Sequence, residues 1–65
     1  MVFNLYEEVR IVNKNVIGHI VDIYNERGQT VYTIQSSKPG CVDDPDAYPG
    51  EYPLYDCTED QLELI

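Results

Sequence analysis

The sequence predicts an all-β fold, a small five-stranded barrel, and three observations carry that prediction. The stretch 18–34 holds two runs of β-branched and aromatic residues on either side of Asn-Glu-Arg-Gly, which is a hairpin pattern. A hairpin alone is barely stable in water, so further strands must cover its apolar face. Two such strands are at hand, one before the hairpin at 9–13 and one after it at 54–57. Finally, Thr58-Glu59-Asp60-Gln61 has the Thr-x-x-Gln capping pattern that starts a helical turn, with only Leu-Glu-Leu-Ile after it. That leaves room for one 3-10 turn and a short closing strand.

Taken in order, residues 1–8 include Val2, Phe3, Leu5 and Tyr6 and read equally as a lead-in strand or one helical turn. In the first strand, 9–13, Val9 and Ile11 share a face and Arg10 takes the other. Asn13-Lys14-Asn15 has turn composition. The second strand then runs from Val16 to about Tyr24. Ile20 and Ile23 are three apart and cannot share a face of a regular strand, so a bulge near Val21-Asp22 is expected. The hairpin loop is expected over 25–28, with Asn25 starting the turn and Gly28 closing it in the left-handed conformation. On the third strand Tyr32 and Ile34 are expected to face inward, and Gly18 and Leu62 complete the expected core.

Residues 36–53 break both periodicities and hold all four prolines. A long loop of this kind in a compact domain is usually functional or mobile. The whole chain, 1–65, is one small domain. A domain of this size is marginal, and a homodimer, a host domain or a crosslink would help it.

Charge narrows the partners. Twelve acids against four Lys and Arg give a formal net charge of -8. Phosphate-backbone binding needs clustered cations, whereas Arg10, Lys14, Arg27 and Lys38 are dispersed. No nucleic acid and no membrane partner is therefore expected; a basic protein partner, or simple solubility, fits the balance. No run reaches the 18 apolar residues of a membrane span. The N-terminal residues have neither the basic start nor the apolar core of a signal peptide, so the expected compartment is the cytoplasm.

The spacing of Gly18, Ile20 and Ile23, then Gly28, Tyr32 and Ile34, then Asp60, Leu62 and Leu64 resembles that of SH3-like small barrels. Similar spacing occurs in KOW-type domains and in the small barrel subunit of photosystem I. The resemblance covers roughly 9–65 and implies the barrel fold. Departures from it bear on function. Peptide-binding SH3 domains carry a groove tryptophan, and this chain has none. Leu54-Tyr55-Asp56 echoes their Ala-Leu-Tyr-Asp-Tyr signature, but lies near the wrong end of the chain. RNA-binding KOW domains tend to be basic, and this chain is acidic. No binding residue is carried over from either family.

Each chemical group has a plain alternative. His19, the only histidine, is expected to point outward as a surface residue; Asp22 three positions on fixes no catalytic geometry. Cys41 and Cys57 form no Cys-x-x-Cys and fall short of a four-ligand zinc site. A disulfide between them would tie the loop to the fourth strand, but in the cytosol two free thiols are expected. Asp43, Asp44 and Asp46 cluster as calcium ligands do, yet Pro45 interrupts the alternation that an EF-hand loop needs. A solvated acidic loop is the simpler reading. Tyr48, Tyr52 and Tyr55 flank prolines and have two readings, an interface face or rings folded over the open end of the barrel.

The reading is thus a non-enzymatic small β-barrel, without cofactor or metal, acting as a protein-interaction or accessory module. Its expected partner-binding residues are Asp43, Asp44, Asp46, Tyr48, Glu51, Tyr52 and Tyr55. The alternative is an acidic inhibitor that imitates nucleic acid on a basic protein.

Overall fold

The computed structural model describes residues 3–38 and 52–65. They form strands β1 (Glu8–Ile11), β2 (Val16–Glu26), β3 (Gln29–Ser36), β4 (Leu54–Thr58) and β5 (Leu62–Leu64), with one 3-10 turn (Glu59–Gln61) before the last. All ladders are antiparallel, in the order β4-β3-β2-β1-β5. The fold is all-β. The first four strands make a meander, and the chain then returns to lay β5 against β1. Among the described residues no ladder joins β4 to β5.

The core follows from period-2 alternation on one face. Val9 and Ile11 of β1, Ile20 of β2, Tyr32 and Ile34 of β3, Tyr55 and Cys57 of β4 and Leu62 of β5 are all buried there. The expected bulge is present: the β2–β3 register shifts between Ile20 and Asp22. Ile20 then stands opposite Ile34, and Ile23 opposite Tyr32. Ile23 is only half-buried, however, packing at the rim of the cluster rather than within it.

Phe3 was not singled out by the sequence pattern, yet it is buried to 2% exposure. Its ring meets Tyr32 edge-to-face, with centroids 5.5 Å apart, an arrangement aromatic quadrupoles favour. Residues 5–6 form a turn rather than a strand or helical turn, with Tyr6 at φ 69°. Backbone bonds between Tyr6 N–H and the Ile20 carbonyl (2.7 Å) and between Ile20 N–H and the Glu7 carbonyl (3.1 Å) hold this lead-in on β2.

The central turn is tighter than the four-residue loop expected over 25–28. Asn25 pairs with Thr30 and Glu26 with Gln29, so β2 continues past Tyr24 and only Arg27 and Gly28 make the turn. Both have positive φ, 53° and 79°. That geometry matches the right-handed twist of the strands, and its residue preference is Asn-Gly. Thr58 and Gln61 make the predicted cap: the Thr58 N–H donates to Gln61 Oε1 at 3.0 Å, and the Thr58 hydroxyl donates to Asp60.

Gly18 sits where β2 crowds β3, and a Cβ there would stand 2.2 Å from the Gln35 carbonyl oxygen. Gly18→Ala is therefore expected to cost about 1–3 kcal/mol; an unchanged denaturation midpoint would contradict the close approach. At the turn, Arg27 occupies a left-handed conformation that asparagine tolerates better. Arg27→Asn should raise stability by about 1 kcal/mol, read as a higher denaturation midpoint at constant m-value.

Candidate functional site

Of the residues expected to bind a partner, Asp43, Asp44, Asp46, Tyr48 and Glu51 lie outside the described residues. Tyr52 and Tyr55 are described, and they part company. Tyr52 stands before β4 with 39% of its surface exposed. Tyr55 lies within β4 opposite Ile34, which turns its ring to the inner face, and it is 6% exposed. For Tyr55 the core reading holds: it belongs to the buried cluster on the inner face of the sheet and is corrected from a surface ring to a core ring.

Acidity is not confined to the segment 38–55. On the outer sheet face, Asp22 pairs with Thr33, and Thr33 pairs with Asp56. The Thr33 hydroxyl donates to Asp56 Oδ1 at 2.9 Å. Glu8 pairs with His19 on the same face, and Glu63 with Arg10. Arg10 and Glu63 form an exposed ion pair, which adds little stability but spends one of the four cations of the chain. Glu59 and Asp60 project from the 3-10 turn.

His19 and Cys57 occupy opposite faces of the sheet, one exposed on β2 and the other buried on β4, so they form no catalytic pair. Cys57 is a free thiol. Burial pushes it up to about 11; neighbouring Asp56 adds to the rise and Lys14 opposes it. At neutral pH it stays protonated, and a protonated thiol is a poor nucleophile and a poor metal ligand. Among the described residues, no group of three or more His, Cys, Asp and Glu could hold a metal ion. No helix among them is long and apolar enough to cross a membrane.

One recess that the sequence pattern did not suggest lies beside β4. It has a volume of about 360 Å3. It is lined by Tyr55, Asp56 and Cys57 of β4, by Ile11 and the Asn13–Lys14 turn, and by Gln61. The turn is held by Asn15 N–H donating to the Ile11 carbonyl at 2.9 Å, and Val12 N–H donates to the Gln61 carbonyl at 2.9 Å. These residues come from three separate stretches of chain. Asn13, Lys14 and Gln61 read only as turn and cap residues in the sequence, with no spacing that would join them.

Compared with protein-family models, curated proteins and solved structures, the chain matches none.

The two described tyrosines separate core from surface. Tyr55→Ala should cost about 3 kcal/mol or more, while Tyr52→Ala should stay within about 0.5 kcal/mol of the parent. Equal losses in urea denaturation would contradict this assignment.

Proposed function

We propose that this chain is a non-catalytic, SH3-like small barrel that serves as a protein-interaction or accessory module for a basic partner. The fold-level part of this reading is supported by the strand order with β5 returned to β1, by the bulged eleven-residue β2 and by the 3-10 turn before the closing strand. The observation that carries the functional part is electrostatic. Asp22, Glu8, Asp56, Glu59 and Asp60 are exposed on a rigid sheet or its 3-10 turn, and the chain adds four more acids at 43–51. A folded body carrying carboxylates on this scale attracts a positively charged surface and repels phosphate backbones. The free, protonated Cys57 suits a reducing, cytoplasmic setting.

In this reading the contact surface is the segment 38–55, with Asp43, Asp44, Asp46, Tyr48, Glu51 and the exposed ring of Tyr52 as its contacts. The sheet carboxylates steer the approach. A second reading, an acidic imitation of nucleic acid, is favoured by one feature: Glu8, Asp22, Asp56 and Glu63 share the outer face of a single sheet. The two differ in consequence, because the imitation displaces DNA or RNA from its target and the module does not.

Changing Asp43, Asp44 and Asp46 together to Asn tests the main reading. Capture of a partner by the immobilised protein should weaken and the melting temperature should hardly move. Association of the parent protein should slow as salt rises, because attraction is screened beyond about 8 Å at 0.15 M. Capture that ignores both the substitutions and the salt would remove 38–55 as the contact surface.

A further inference from the structure

The recess beside β4 has the form of a strand-addition site. Three consecutive residues, Tyr55, Asp56 and Cys57, line it. Side chains of a strand alternate between faces, so a hollow on one face would touch every second residue. The rest of its lining comes from Ile11, the 13–14 turn and Gln61, and none from β3, which puts the hollow on the side of β4 away from β3. β4 is the last strand of the sheet on that side, and among the described residues only β3 pairs with it.

Edges left open in this way are commonly blunted by Pro, Lys or extreme shortness. β5, the other edge, has three residues. β4 has five, Leu-Tyr-Asp-Cys-Thr, with neither Pro nor Lys among them. Among the lining residues, the Asn13 side-chain amide can both donate to and accept from a peptide main chain, and Gln61, whose Oε1 takes the Thr58 N–H, can donate through its NH2.

We propose that an extended, basic segment of a partner protein adds to the edge of β4 that no ladder takes up among the described residues, as a sixth strand. This inference rests on the interaction-module reading above and names a site and a partner chemistry for it. The charge sets the chemistry. Asp56 is exposed on the outer face, and Glu59 and Asp60 follow at the end of β4, against Lys14 on the recess wall. The apolar lining of the hollow is Ile11, Tyr55 and Cys57, core side chains that leave only a narrow margin exposed to it. A segment that alternates apolar and basic residues fits both sides at once. Its apolar residues lie over Ile11 and Tyr55, and its cations lie beside Asp56. A volume of about 360 Å3 is at the small end of binding clefts, enough for a few residues.

The test uses the whole protein and a Lys-Val octapeptide, alternating and capped at both ends. Titration followed by NMR should shift the amides of Leu54–Thr58 and of Asn13, Lys14 and Gln61, and alternate β4 amides should gain protection from hydrogen exchange. Methylating alternate backbone nitrogens of the peptide should weaken binding by about tenfold or more, since each methyl removes a main-chain donor. A Glu-Val octapeptide should not bind. This arm alters only the ligand, so it cannot fail through misfolding. Undiminished binding of the methylated peptide, shifts confined to Glu8, Asp22 and Glu63, or no binding at all would each overturn strand addition at β4. Should strand addition fail while the Asp43, Asp44, Asp46 variant still loses partner capture, the module reading stands without this site.

Discussion

Everything in this fold depends on how β2 bends. Its eleven residues serve two neighbours, pairing with β1 through Val16–His19 and with β3 from Gly18 to Glu26. Near the overlap one extra residue, Val21, interrupts the ladder between Ile20 and Asp22. Without it, strict alternation would send Ile23 to the outer face and leave the row through Tyr32 and Cys57 uncovered on that side. The close approach at Gly18 belongs to the same device: a side chain there would hold β2 off the Gln35 carbonyl. Bulge and glycine together let one long strand curve, and a curved sheet encloses a core where a flat one of this length would not.

What the curve encloses is small and centres on one ring. Tyr32 is 2% exposed and is the largest fully buried side chain. It faces Cys57 across one ladder and Ile23 across the other. Phe3 closes the remaining side, and the Phe3 N–H reaches the Tyr32 hydroxyl at 3.4 Å. A buried phenol needs a polar partner, and the lead-in before β1 supplies it. The lead-in around Phe3 therefore completes the core rather than trailing from it.

Much of this was legible in the sequence, and the parts that were not share a cause. Alternation placed Val9 with Ile11 and Tyr32 with Ile34 on shared faces, Leu62 was also expected in the core, and the three-residue step from Ile20 to Ile23 located the bulge though Ile23 itself is only half-buried. Both are local signals. The turn at Arg27-Gly28 was harder to read, because Asn25 and Glu26 have turn composition although cross-strand pairing with Thr30 and Gln29 holds them in strands. Phe3 was missed because its partner is twenty-nine residues away. Tyr55 stood between core and interface until its register opposite Ile34 fixed its face. The recess was invisible for the same reason, since only the fold brings Asn13 and Lys14 to β4.

A strand edge like that of β4, with no ladder beyond it among the described residues, would ordinarily invite a second copy of the chain, and the sequence of β4 opposes that outcome. Asp56 is the central residue of Leu54–Thr58. Two β4 strands paired antiparallel about their centres would set one Asp56 directly against the other, with Glu59 and Asp60 of each copy just beyond the ends. Like charges placed directly opposite are destabilising, and a formal net charge of -8 on each chain adds long-range repulsion. Self-pairing at this edge is disfavoured by the same carboxylates that would welcome a basic strand. Acidity at this edge thus opposes pairing with its own kind, and under the strand-addition proposal the same carboxylates favour a partner of opposite charge.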